Sequence, residues 1–257
     1  MTANDDLQAS TGRPLRCVVI GAHGRLGSSI CARLEQSPDV ELVGALGSSD
    51  PLASVLDLKP DVVVEATVPD ASPAIVEFLV DHGISTVVAT TGWDDERVER
   101  LRGWLAASPG TRVLLAPILG LGAAAMMDAI RRLGPVFDAV EIVEMHHAAK
   151  VDAPSGTSRY TAGLLAPPSA PQHQVPPAAG DAARGTVVNG IPVHSVRLPG
   201  FVAHQQVFLG RPGEVLRIEY DAHDRSAFAE GALVAVLALP DAPPGLTYGL
   251  ENLLFRS

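Results

Sequence analysis

The residues best suited to chemistry are concentrated in one stretch, His146-His147-Ala-Ala-Lys150-Val-Asp152-Ala-Pro154-Ser155-Gly156-Thr157. Two imidazoles and an ammonium fall within five residues there. Both group types can deliver a proton near neutral pH in a suitable setting. Of the 19 lysines and arginines only Lys59 and Lys150 are lysines, and lysine, unlike arginine, gives up its proton when its surroundings demand it. The Pro-Ser-Gly-Thr turn then opens a helix, where hydroxyls and free backbone N–H groups form a nest for anions. The combination suits a small molecule bearing carboxylates. Taken singly, each feature has a plainer role: a structural histidine, a solvated lysine, a helix cap. A metal is not expected, because adjacent strand residues point to opposite faces and no third ligand stands nearby.

A second constellation is the turn Gly21-Ala22-His23-Gly24-Arg25-Leu26-Gly27, directly after an apolar run, Leu15 to Ile20. A strand-to-helix turn aims free N–H groups and the positive helix end at whatever lies above it. Glycine at its centre lets a pyrophosphate approach, and glycine one turn later lets helix and strand pack closely. The spacing is G-x-x-G-x-x-G rather than the commoner G-x-G-x-x-G. Dinucleotide binding is the expectation, with a merely structural turn as the alternative. The second strand ends Leu46-Gly47-Ser48-Ser49, with no acid before Asp50 to grip a ribose. Without that carboxylate, Ser48, Ser49 and Arg25 can hold a 2′-phosphate, so NADPH is favoured over NADH.

These motifs need elements to position them. Strand patterns at Leu15–Ile20, Val40–Leu46, Asp61–Ala66, Ser85–Ala89 and Arg112–Leu115 alternate with helix patterns at Arg25–Gln36, Ala74–His82 and Asp94–Ala107. Continuous Val/Ile/Leu strands between helices indicate a parallel sheet covered on both faces, hence an α/β, Rossmann-like dinucleotide-binding domain. After Pro117 the texture changes. A helix over Leu121–Leu133 precedes an alternating strand, Ala139–His146, a short helix, Ser158–Leu165, and a loop with five prolines, Ala166–Gly180. Val193–Leu198, His204–Leu209 and Val215–Tyr220 read as antiparallel strands, and Ser226–Leu239 as an apolar helix. The second half is thus an α+β domain with a mixed or antiparallel sheet, inserted before a helix that returns to the first domain.

Composition excludes several classes. The chain has 257 residues, 47% of them hydrophobic and 19% charged, which fits a folded protein with a sizeable core. A net charge of -10 argues against a nucleic-acid partner. The charge-free run Val113 to Met127 is 15 residues long and broken by Pro117, Gly120 and Gly122, too short to cross a bilayer. The polar, acidic start suggests a flexible leader over 1–13 on a cytoplasmic protein. Cys17 and Cys31 lack metal-ligand spacing and read as buried free thiols.

At Glu144 to Thr157 the sequence resembles the 4-hydroxy-tetrahydrodipicolinate (dihydrodipicolinate) reductase family, whose stretch runs E-x-H-H-x-x-K-x-D-A-P-S-G-T. The glycine turn is similar to that family's G-A-x-G-R-M-G, and Thr90-Thr91-Gly92 to most of its G-T-T-G. Arg184-Gly185, Gly190 to Arg197, Gly200, His204 and Pro212-Gly213-Glu214 follow its substrate domain. The resemblance implies an NAD(P)H-dependent oxidoreductase of diaminopimelate and lysine biosynthesis, in which hydride passes to a conjugated cyclic imine. It implies His146 and Lys150 as the proton-giving groups, and His147, Ser155, Gly156, Thr157 and Thr91 as holders of the substrate carboxylates. The cofactor would be lined by Gly21 to Leu26, Gly47, Ser48, Ala89 to Thr91, and Ala116, Pro117, Ile118 and Leu119. Residues 14–117 with 226–257 would bind the dinucleotide, and 118–225 would bind substrate and assemble a homotetramer. The two domains would close by hinge motion.

The sequence also departs from that pattern. The family's A-P-N-F-S-x-G loop reads Ala116-Pro117-Ile118-Leu119-Gly120-Leu121-Gly122, G-T-T-G begins with Ala89, and D-F-T reads Glu65-Ala66-Thr67. The proton-giving end is intact while the hydride end has drifted. Two other readings therefore stay open: a paralogue reducing another carboxylated cyclic imine, and a non-catalytic nucleotide sensor, against which the retained proton donors count.

Overall fold

Val- and Leu-rich runs in the first half become parallel strands because both of their faces are covered. In the computed structural model, which describes residues 12–165 and 182–255, β1 (Leu15–Ile20), β2 (Val40–Leu46), β3 (Val62–Glu65), β4 (Ser85–Val88) and β5 (Arg112–Leu115) alternate with α1 (Arg25–Leu34), α2 (Ser54–Leu58), α3 (Ser72–Asp81) and α4 (Asp95–Ala107). There follow α5 (Leu121–Leu133), β6 (Ala139–His146), α6 (Gly156–Leu165), β7 (Thr186–Val188), β8 (Ile191–Arg197), β9 (Ala203–Arg211) and β10 (Glu214–Ala222). The chain continues through α7 (Ser226–Ala238), β11 (Gly245–Tyr248) and α8 (Leu250–Leu254). The Pro-rich stretch 166–180 and residues 1–11 of the expected leader lie outside the described residues. Arg13, counted in that leader, is tied to Asp61 by two hydrogen bonds of 2.7 and 2.8 Å. The chain divides into two compact units, Met1–Leu121 with Arg225–Ser257, and Gly122–Asp224.

The first unit is a six-stranded sheet in the order β11-β5-β4-β3-β1-β2, with every pairing parallel. Val62, Val63 and Val64 of β3 are all fully buried, as a strand covered on both faces requires. Leu79, Val55 and Val18 pack in one cluster and Leu101, Val113 and Leu115 in another, and each such buried side chain contributes about 1.5–3 kcal/mol. The apolar α7 lies against α1, β3 and β4, and Glu230 on it pairs with Arg33 on α1. The sixth strand was not expected. Gly-Leu-Thr-Tyr is too short to show a period, and β11 forms because β5 offers it a free edge, with the Gly245 N–H on the Thr111 carbonyl at 2.8 Å.

The second unit is a mixed five-stranded sheet, β10-β9-β6-β8-β7. β8, β9 and β10 alternate in direction as expected, and the sheet is mixed because β8 lies parallel beside β6. The strand period could not reveal this, since side-chain alternation is the same in both directions. Along β6, Val140, Ile142, Glu144 and His146 share the buried face. That face carries α5 and α6, which touch where the Thr161 hydroxyl oxygen lies 3.3 Å from Met127 Sδ. Register sets Glu144 beside Ser195 on β8 and Gln205 on β9. Among the described residues, no helix is long and apolar enough to cross a membrane.

Candidate active site

In the first unit the glycine turn is locked to the end of β2, with Gly21 and Ala22 N–H both on the Leu46 carbonyl at 2.8 and 3.0 Å. Gly21 sits at φ +85°, and a Cβ there would stand 2.3 Å from the Ala66 carbonyl oxygen. A Cβ on Gly27 would stand 2.1 Å from Gly21 O, so α1 can begin this close to the turn only as written. Gly24 caps α1 without a side chain, and no acid occupies the first turn. Its leading N–H groups are therefore free for an anion.

Beside this turn lies a cavity of about 600 Å³, lined by Gly21, His23 and Gly24, by Gly47, Ser48 and Asp50, and by apolar Leu46, Leu52, Val68 and Ile75. The His23 ring occupies the space a side chain at Gly47 would need, since a Cβ there would lie 2.4 Å from His23 Nδ1. Asp50 does not stay clear, as the sequence suggested. A turn brings its carboxylate back to accept the Gly47 N–H at 2.7 Å. An apolar slot ending in an N–H-rich glycine turn fits a dinucleotide. The residues present thus fit the NAD(P)H that the fold implies.

At the ends of β3 and β4, fully buried Glu65 organises the turns. Its carboxylate accepts the Thr67 N–H (2.8 Å) and the Thr67, Ser72 (2.6 Å) and Thr90 (2.9 Å) hydroxyls. Thr90 is thereby buried and spent, while Thr91 is exposed. Ala22, Ala89, Ala116 and Leu119 are buried as well. His23 and Arg25 are exposed, and Leu26, Pro117 and Ile118 are half-buried.

In the second unit the polar cluster hangs on Glu144, which is fully buried. His146 Nδ1 lies 2.5 Å from its Oε2, Arg197 clamps it with both terminal nitrogens at 2.8 Å, and the Ser155 N–H reaches Oε1 at 3.2 Å. Burial pushes this carboxyl upward, but the His146 and Arg197 hydrogen bonds outweigh it and hold it down at about 2. It is therefore a carboxylate, which can only accept, so His146 carries a proton on Nδ1. The Lys150 ammonium pairs with Asp152 at 2.8 Å. His147 is half-buried just past the strand end.

Ser155 opens α6. Its Oγ accepts the Ser158 N–H at 3.1 Å, capping α6. The Ser158 hydroxyl donates to Gln205 Oε1 at 3.0 Å, so the 2.8 Å contact between the two serines is Ser155 donating to Ser158. Gln205 Nε2 continues to the Thr161 hydroxyl (2.8 Å), which donates to the Thr157 carbonyl (3.0 Å). The Ser155 side chain is thus engaged within the second unit. Gly156 is exposed and Thr157 half-buried at the start of α6, and the Gly156 N–H is hydrogen-bonded to the Asp152 carboxylate, which helps to hold that carboxyl below its usual range.

Comparison with known proteins decides the family. Residues 15–117 match the family described as dihydrodipicolinate reductase, N-terminus, and residues 121–254 match dihydrodipicolinate reductase, C-terminus. The chain belongs to the dihydrodipicolinate reductase family. The 4-hydroxy-tetrahydrodipicolinate reductase of Streptomyces avermitilis is 46% identical over 245 residues, covering 93% of this chain and 98% of that one. That of Mycobacterium marinum is 42% identical over 243 residues, covering 93% and 99%. A dipicolinate-bound dihydrodipicolinate reductase from Paenisporosarcina sp. TG-14 superposes with a TM-score of 0.78 at 28% identity, over 94% of this chain and 100% of that chain. As a dihydrodipicolinate reductase family member, the chain is an NAD(P)H-dependent oxidoreductase with 4-hydroxy-tetrahydrodipicolinate reductase activity, serving lysine and diaminopimelate biosynthesis.

Sequence reasoning assigned no role to four residues that shape these sites: Glu144, Arg197, Glu65 and Gln205. For Glu144 a signal existed. An acid two residues before a histidine, on the face of β6 that carries Val140 and Ile142, must be paired if that face is buried.

Proposed function

We propose that the first unit holds NAD(P)H in the cavity above the glycine turn, and that the end of β6 and the start of α6 hold the carboxylated imine. What carries this reading is the single Glu144 carboxylate joining His146 to the helix-opening Ser155 N–H, with Lys150 on the connecting segment. Bound NAD(P)H supplies the hydride. The imine gains that hydride and one proton, and its hydroxyl leaves as water. His146 and Lys150 provide the proton, as the groups here able to release one. The Thr157 N–H and hydroxyl hold carboxylate oxygens, with Gly156 leaving the approach free of a side chain and His147 and Thr91 as further polar contacts. Ser155 acts as the cap that fixes this turn.

For the cofactor we favour NADPH. Gly47 contributes no carboxylate, and His23, Ser48 and Arg25 are suited to a 2′-phosphate. Asp50 favours the alternative, NADH, because a carboxylate in this cavity suits a ribose diol better than a phosphate. A homotetramer is supported by the sheet face opposite α5 and α6, where Val196 and Val215 are 37% and 67% exposed.

The test supplies synthase-generated 4-hydroxy-tetrahydrodipicolinate with NADPH or NADH and follows cofactor absorbance. Wild type should oxidise either, NADPH with the lower KM. Lys150→Ala should lose about 100-fold or more in kcat while still binding cofactor. No oxidation above background would redirect the site to another carboxylated cyclic imine.

A further inference from the structure

Glu144 receives more donors than any other side chain of the second-unit site. Oε2 takes His146 Nδ1–H and one Arg197 N–H, Oε1 takes the other Arg197 N–H and the Ser155 main-chain N–H, and the Ser195 hydroxyl donates to the same carboxylate. We propose that Glu144 is the positioning residue of the reduction: it fixes the His146 proton on Nδ1, leaves Nε2 as the atom that exchanges a proton with substrate, and ties that ring to the carboxylate-binding turn. The proposal rests on His146 being a proton source. Nothing else in the cluster can take the part. Arg197 is donor-only and already spends Nη2 on the Asp152 carbonyl (2.6 Å) and Nη1 on the Val196 carbonyl (2.8 Å). Asp152 is engaged by Lys150. The geometry also explains why a carboxylate is needed. An amide in its place must turn its NH₂ toward one half of the Arg197 fork, and both halves are donors. Facing Nη1, it opposes the His146 proton and favours the other tautomer; facing Nη2, it opposes the Ser155 N–H. Either choice unlinks the ring from the turn.

The experiment compares Glu144→Gln with His146→Gln in the full-length enzyme. It reads NADPH affinity by fluorescence, kcat and KM with synthase-generated substrate, and the His146 ring nitrogens by NMR of ¹⁵N-histidine protein. Glu144→Gln should bind NADPH within twofold of wild type, confirming that it folds, and lose about 10- to 100-fold in kcat, the scale seen where a carboxylate that orients a metal-bound histidine is removed. Its His146 signals should move away from the Nδ1–H form. Wild-type tautomer, or kcat within twofold of wild type while His146→Gln is impaired, would overturn the proposal and leave the histidine's own role standing. If His146→Gln turns over like wild type, that role falls first and this proposal with it. Should Glu144→Gln fail to fold, Glu144→Asp keeps the charge but withdraws it by one methylene. Mixed His146 tautomers with a lower kcat support the proposal, and a wild-type ring with wild-type kcat overturns it.

Discussion

A Cβ on Gly231 would stand 1.4 Å from the carbonyl oxygen of Leu119. Helix α7 therefore presses directly on the segment from Ala116 to Leu119, with no room for a methyl group. Gly231→Ala should force the two apart, destabilising the fold by about 1–3 kcal/mol as overpacking does. Thermal denaturation should show a Tm several degrees lower, and NADPH titration a raised Kd. A variant with unchanged Kd would mean the segment does not contact cofactor.

Gly47 makes room for His23. Gly47→Asp should displace that ring, because even its Cβ would lie 2.4 Å from Nδ1, and would add a second carboxylate to the cavity. Like charges brought together are strongly disfavoured, so kcat/KM for NADPH should fall at least about tenfold relative to that for NADH. Steady-state kinetics with both cofactors checks it.

Gln205 is the middle link of a buried chain from Ser155 to Thr157. Gln205→Leu leaves the Ser158 hydroxyl proton without its acceptor, while Thr161 keeps the Thr157 carbonyl, at about 1–3 kcal/mol for the one buried donor left unsatisfied. The expected result is a raised KM for the imine with unchanged NADPH affinity. Equal losses in both would indicate general unfolding instead.

Acid should weaken the fold through Glu144. Its pKa is lowered from 4.5 to about 2 on folding, so the folded state is favoured fully above 4.5 and loses that advantage as pH falls toward 2. Urea denaturation of wild type and Glu144→Gln should therefore differ most at neutral pH and converge across that window.

Much of this was written openly in the chain. The buried valines of β1, β3 and β4 announced a parallel sheet, and Gly21 to Gly27 announced the turn, because each follows from local periodicity or spacing. What stayed hidden depends on register between distant strands. Glu144 meets Arg197 only because β8 runs parallel to β6 and sets His146 beside Arg197. Gln205 reaches α6 only because β9 pairs Glu144 with Gln205. The committed hydroxyl of Ser155 was equally illegible, since the direction of its proton is dictated by side chains as far along as residue 205.

The sixth strand has a consequence for how the protein is made. Gly245–Tyr248 closes the edge beside β5, yet it is translated after all of Gly122–Asp224. On the ribosome, the first-formed sheet must wait with the outer edge of β5 unpaired and without α7 while the whole inserted unit emerges. That exposed edge is where a nascent chain is open to chaperone capture or to pairing with a neighbour on the same polysome.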